Sequence, residues 1–108
     1  MKVKIIAGVV LSMGFASASH AAKIFEWNDP VTGNTPASCS AVQTYGTGGG
    51  GFLYNEYLVT CPGHSVTVTK YTSISYTPYY SESCTFGTTD SDYTTGANNC
   101  NNWRVYYN

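Results

Sequence analysis

Four cysteines, Cys39, Cys61, Cys84 and Cys100, constrain this 108-residue chain more than any other feature. They are separated by 21, 22 and 15 residues. Zinc sites favour close pairs such as C-x-x-C, so the spacing predicts two disulfides and no metal. Four cysteines allow three pairings. Cys39 and Cys61 are centred on residue 50, in the glycine run 48–51, and Cys84 and Cys100 on residue 92, in "TTDSDYTTG". Pairing Cys39 with Cys61 and Cys84 with Cys100 staples the base of each loop, and this symmetry selects it. Each closed loop is worth on the order of 3 kcal/mol. That is a large share of the roughly 5–15 kcal/mol that holds a typical domain.

Disulfides need an oxidising compartment, and the first residues explain how the chain reaches one. Lys2 and Lys4 precede an apolar stretch over residues 5–15, followed by "ASASHAA". This is the pattern of a cleaved export signal, and its apolar run is too short to span a bilayer as a helix. Cleavage after Ala21 or Ala22 is expected. Residues 1–22 are then the signal peptide, and residues 23–108 form a single disulfide-stabilised β domain in the periplasm or outside the cell. That domain keeps Lys23, Lys70 and Arg104 against Glu26, Asp29, Glu56, Glu82, Asp90 and Asp92, a net charge of −3. Three scattered cations cannot displace the counterions of a nucleic acid, nor hold an anionic membrane surface.

Helix formers are sparse, while Thr, Tyr, Ser, Gly and Asn abound. The segment "SVTVTKYTSISY", residues 65–76, alternates Val66, Val68, Ile74 and Tyr76 against Thr67, Thr69, Tyr71, Ser73 and Ser75. A period of two marks a half-buried strand. Lys70 and Thr72 interrupt its apolar side, which predicts a bulge or a departure from the core there. Residues 52–60 form a second strand, with Leu53, Tyr57 and Val59 on one side. Trp103, Val105 and Tyr107 define a third. Shorter strands are expected around Val42 and over residues 24–27, the latter stopping near Pro30.

The glycine run could be taken for a phosphate cradle. Such loops need a helix after the glycines and a nearby Lys, and here a strand follows, with no Lys before Lys70. A flexible connection between two strands is expected instead. Pro62-Gly63 fits the central pair of a type II turn.

Chemical candidates are few. His64 is the only histidine outside the export segment, and a surface position beside the Pro-Gly turn is expected for it. A Cys–His nucleophile needs a free thiol, and all four are committed to bridges. In "DSDYTTGANN" Asp90 and Asp92 take the first two ligand positions of a calcium loop. The glycine is one place late, however, and Asn101 stands where a bidentate Glu belongs. A polar turn is expected there, and no catalytic residue or cofactor is assigned.

Residues 23–108 hold 15 aromatics but only 10 Val, Leu and Ile, so aromatics must supply part of the core. Some tyrosines fall elsewhere. Tyr71 shares its side with Thr and Ser, Tyr106 shares its side with Arg104, and Tyr79, Tyr80 and Tyr93 lie in expected loops. Exposed tyrosine offers rigid contact area with a polar tip. These five are the candidate ligand-binding residues.

Two short resemblances bear on this. "TPYYSESC" resembles the end of the small fungal cellulose-binding modules, where paired tyrosines beside a cysteine stack on cellulose. It covers eight residues, and the cysteine spacing elsewhere differs. "IFEWNDPVTG" resembles the opening of some small bacterial periplasmic domains of unknown function, and implies no activity.

The expected fold is all-β: a small antiparallel sandwich or partly open barrel of about five or six strands, stapled by two disulfides. The expected role is a secreted or periplasmic binding module presenting tyrosines and loops to a glycan or a protein surface. The alternative is a secreted inhibitor or antibacterial effector without a catalytic site, presenting a protruding loop such as 46–51 or 87–99.

Overall fold

The computed structural model describes residues 21–28 and 38–108. The predicted export segment, apart from Ala21 and Ala22, lies outside these residues, as does Pro30.

The described residues form seven strands: β1 (Ala22–Asn28), β2 (Ser40–Gly48), β3 (Phe52–Cys61), β4 (His64–Ser75), β5 (Ser81–Thr88), β6 (Tyr93–Asn99) and β7 (Asn102–Tyr107). They form two antiparallel sheets, one in the order β1-β7-β6 and one in the order β2-β3-β4-β5. The chain is therefore an all-β sandwich, with more strands than the sequence suggested. The additions are β5 and β6, formed from the polar residues 81–99; β6 lies within 87–99, the span expected to protrude as a loop in the inhibitor alternative. Their few apolar side chains, Phe86 and Tyr93, pack inward. Much of what makes them strands is the ladder each forms with a better-patterned neighbour, β4 or β7.

The core lies between the sheets. The large sheet supplies Val59, Val66 and Val68, and the small one supplies Phe25, Trp103 and Val105, all buried. The Trp103 ring sits 5.4 Å from Phe25 and 6.1 Å from Trp27 on its own side, and 5.6 Å from Tyr57 and 5.3 Å from Phe86 across the interface. Aromatics thus replace the missing aliphatics, as the composition required. Through these contacts the small sheet covers β3, β4 and β5. β2 reaches past it, and every β2 residue except Ala41 is exposed.

The expected bulge in β4 is absent. Its register against β3 runs unbroken from Phe52–Ser73 to Cys61–His64. Lys70 and Thr72 stay on the inner side because each finds a partner there. The Lys70 ammonium lies 5.8 Å from the centre of the Phe86 ring, a cation–π arrangement. Thr72 is buried, and its hydroxyl is 3.2 Å from Cys84 Sγ. A buried hydroxyl with a partner avoids the cost of lost hydration.

The glycine run is a tight hairpin turn rather than a flexible connection. Gly49, Gly50 and Gly51 have φ of +146°, +64° and +91°, a region closed to most side chains. The Gly49 N–H donates to the Phe52 carbonyl at 3.0 Å, closing the turn between β2 and β3. Gly63, with φ of +80°, takes the third position of the Pro62-Gly63 turn, as a type II turn demands.

Both predicted disulfides are present, Cys39–Cys61 and Cys84–Cys100. The first closes the open end of the β2–β3 hairpin. The Ile24 carbonyl packs against it, 2.9 and 3.2 Å from the two sulfurs, where β1 shifts register. The second joins β5 of the large sheet to the β6–β7 turn of the small one. It is a tie between the layers rather than the neck of a loop.

Both losses should therefore be large. Replacing Trp103 with Ala should cost about 3–5 kcal/mol. Replacing Cys84 and Cys100 together with Ala should cost about 3 kcal/mol. Urea unfolding of the oxidised proteins, followed by circular dichroism, measures both. A Trp103→Ala variant with an unchanged midpoint would show that the ring cluster does not carry the core.

Candidate functional site

The side of the large sheet turned away from the core is the main candidate surface. Strand alternation puts Phe52, Tyr54, Glu56 and Leu58 of β3 on this side, because Tyr57, Val59 and Cys61 face inward. The register then aligns the neighbouring strands. Tyr54 stands opposite Tyr71 of β4, and the row continues to Thr47 on β2 and Thr85 on β5. The adjoining row is Tyr45, Glu56, Thr69 and Gly87. Phe52 lies opposite Ser73, and Val42 opposite Leu58.

Four rings gather at the centre of this face. Phe52 and Tyr71 lie nearly parallel, 8° apart in plane with centres 5.7 Å apart. Tyr45 meets Tyr54 edge-on at 6.2 Å. Tyr71 and Tyr45 keep 47% and 52% of their surface in water. Rows across four strands spaced about 4.8 Å apart give a platform roughly 14 Å wide. Its border is made of hydroxyls: Thr47, Thr69, Ser73, Ser83 and Thr85. Glu56 is the one charged side chain that alternation places on this face. The Tyr54 hydroxyl donates to Glu56 Oε2 at 2.7 Å. That hydrogen bond to the carboxylate, with burial and the negative charge of Glu56 adding to it, raises the Tyr54 pKa above its ordinary value.

The five tyrosines singled out in the sequence are not brought together. Tyr71 belongs to the platform, beside the Thr and Ser residues expected to flank it. Tyr79 and Tyr80 sit with Tyr76 in the turn between β4 and β5, after a cis Thr77–Pro78 bond. All three are exposed, the Tyr76 and Tyr80 rings are 5.5 Å apart, and the Tyr80 hydroxyl bonds Glu82. Tyr106 lies on the far side of the molecule, on the outer face of the small sheet. There it neighbours Gly96 and Arg104, near the Lys23–Glu26 ion pair.

Tyr93 requires a correction. It opens β6 instead of lying in a loop, and only 9% of its surface is accessible. Its hydroxyl is 3.2 Å from His64 Nδ1, and its ring meets Tyr107 at 5.4 Å. His64 is likewise part-buried rather than a free surface group, with the Tyr107 ring 4.6 Å away. The aspartates of the calcium-like stretch serve the backbone. Asp90 Oδ1 accepts the Asp92 N–H at 2.9 Å and the Asp90 carbonyl accepts the Tyr93 N–H at 3.1 Å, so a polar turn forms at 90–92, while Tyr93–Asn99, expected to belong to it, is strand β6. Among the described residues no three His, Cys, Asp or Glu side chains gather as a metal site.

Tyr45, Phe52 and Tyr54 were not singled out in the sequence. Tyr54 could have been found, since it falls on the side of β3 opposite Tyr57 and Val59. What joins it to Tyr45 and Tyr71 is cross-strand register, which the strands do not display individually. Comparison of the chain with protein-family models, with curated proteins and with solved structures finds no significant match.

The Tyr54–Glu56 bond has a pH signature. It stabilises the neutral phenol, so its contribution is complete below pH 10.0, the ordinary tyrosine value, and is lost as pH rises through the elevated folded value. Alkaline titration by ultraviolet difference spectroscopy should show Tyr54 ionising late. Glu56→Gln should bring that ionisation to lower pH, and a titration unmoved by Glu56→Gln would remove the carboxylate as the cause.

Proposed function

We propose that the protein is a binding module without catalytic activity, exported to the periplasm or beyond, and that it holds a glycan on the aromatic platform of the large sheet. The observation that carries this is the cluster of Tyr45, Phe52, Tyr54 and Tyr71 on one solvent-facing side, bordered by hydroxyls. A sandwich this size needs one face of each sheet for its core. Its outer faces are free to be polar, and a contiguous aromatic patch there is unusual enough to mark an interaction site. Flat rings can stack on the apolar faces of sugar rings, while the surrounding Thr and Ser exchange hydrogen bonds with sugar hydroxyls. The near absence of charge on this side suits a neutral ligand. The two disulfides accord with an oxidising compartment.

A second reading rests on a different feature. β4 pairs with β5 as far as Ser75–Ser81, beyond the last β3 partner, Phe52–Ser73. The hairpin thus projects past its neighbour and ends in Tyr76, Tyr79 and Tyr80. A projecting tip bearing exposed tyrosines is what an inhibitor would insert into a partner's cleft, and this tip takes the place of the loops 46–51 and 87–99 expected from sequence.

The two readings give opposite results. The oxidised protein is applied to a glycan array, and hits are measured by calorimetry. Tyr71→Ala and Tyr45→Ala should each remove about 1–2 kcal/mol of stacking, raising Kd roughly five- to thirtyfold. Tyr106→Ala, on the opposite face, should leave Kd unchanged. A blank array, or binding lost with Tyr79→Ala and Tyr80→Ala but retained with Tyr71→Ala, would move the site from the platform to the hairpin tip.

A further inference from the structure

We propose that two copies of the chain join edge to edge through β2, in antiparallel alignment about a two-fold axis, to make one continuous eight-stranded sheet. Among the described residues no strand pairs with the outer edge of β2. A free edge presents a row of backbone N–H and C=O groups, and proteins usually guard such edges with charge, proline, short length or a covering element. β2 is nine residues long, with the sequence SAVQTYGTG, and holds neither a charged residue nor a proline. The other edges are treated differently. β1 carries Lys23 and Glu26. β5 carries Glu82. β6 lies alongside β5, and the Cys84–Cys100 bridge ties the two regions.

Past Ala41, which packs against the core, β2 is exposed on both of its faces, because the small sheet does not reach it. Val42 and Tyr45, both on this strand, keep 60% and 52% of their surface exposed. Among the described residues no second layer covers them.

The strand's own irregularity selects the occupant. Its register against β3 shifts between Gln43 and Tyr45, so Val42 and Tyr45 fall on the same face although an odd number of positions separates them. A two-fold axis between Gln43 and Thr44 sets Val42 opposite Tyr45 of the second copy, and the reverse. It also sets Ala41 opposite Gly46 and Ser40 opposite Thr47. In every one of these pairs both residues share a face: Val42, Tyr45, Ser40 and Thr47 outward, Ala41 and Gly46 inward. The bulge, which elsewhere guards an edge, here falls on the axis and meets its own copy. Apolar meets apolar, small meets small, and no like charges oppose. This is the self-complementarity that a two-fold interface requires. A foreign strand could use the same edge, but the matching of each residue to its symmetry mate favours a second copy.

The pairing does not depend on what the platform binds. It would nevertheless bring the two aromatic platforms side by side on one sheet, with Tyr45 of each copy next to the junction. A repeating polymer could then engage both, and effective concentration would raise affinity without new contacts.

Sedimentation equilibrium of the oxidised protein tests the proposal, together with hydrogen exchange of the β2 amides over a concentration series. The expected result is a dimer whose β2 amides, Ser40–Gly48, become protected as concentration rises. Val42→Lys and Val42→Glu should each shift the protein to monomer by placing like charges near the axis. Mixed in equal amounts, the two variants should recover a dimer, which also shows that neither has simply misfolded. A wild-type protein that stays monomeric across the series would overturn the proposal. So would a dimer whose β2 amides exchange freely, or variants that remain monomeric when mixed although each is folded by circular dichroism.

Discussion

The contact on which the structure depends is the packing of Trp103 between the sheets. Its ring touches Phe25 and Trp27 of the small sheet and Tyr57 and Phe86 of the large one. Few aliphatic side chains are available to a chain of this composition, so one large ring does the filling that several leucines do elsewhere. The placement has a cost in area. The covered region extends over β3, β4 and β5 but not over β2, nor over the far end of β3, where Leu53 is exposed although it shares the face of Tyr57 and Val59. The disulfides complement this arrangement. Cys84–Cys100 ties β5 to the β6–β7 turn, and Cys39–Cys61 anchors β2 at the end where it meets the core.

That limited overlap explains where the aromatics outside the core stand. Inner positions near Trp103 hold Phe25, Tyr57 and Phe86. The outer positions of the large sheet carry rings that no layer of the described residues covers, Tyr45, Phe52, Tyr54 and Tyr71. Such rings cost little within a strand, since tyrosine and phenylalanine suit the pleated backbone and pack on their cross-strand neighbours. The platform is thus held rigid by the same ladder that forms the sheet. The three exposed tyrosines of the β4–β5 turn lie on a projecting hairpin instead, where the ladder supports them from one side only.

Much of the fold was legible in the sequence. Alternation located β3, β4 and β7, and it assigned Tyr71 correctly to the outer side of β4. Pro62-Gly63 announced its turn, and cysteine spacing selected both bridges. What it could not supply were β5 and β6, whose polar composition resembles a loop until β4 and β7 lend them partners. Lys70 and Thr72 misled for a related reason. They look like breaks in an apolar face, yet Phe86 and Cys84 on the adjacent strand give each of them something to bind. Tyr93 was misplaced because it sits among Asp, Ser and Thr in the chain, while in space its neighbours are His64 and Tyr107.

The sequence by itself determined the class of fold, because periodicity, turn chemistry and cysteine parity are local properties that each short segment carries within it. Only the tertiary structure decided which rings share a surface. Tyr45, Tyr54 and Tyr71 lie on three strands, and strand register brings them together: a one-residue slip in either ladder would send a ring to the opposite face. That register is set by the core residues on the inner side and by the bulge in β2, which act on the sheet as a whole.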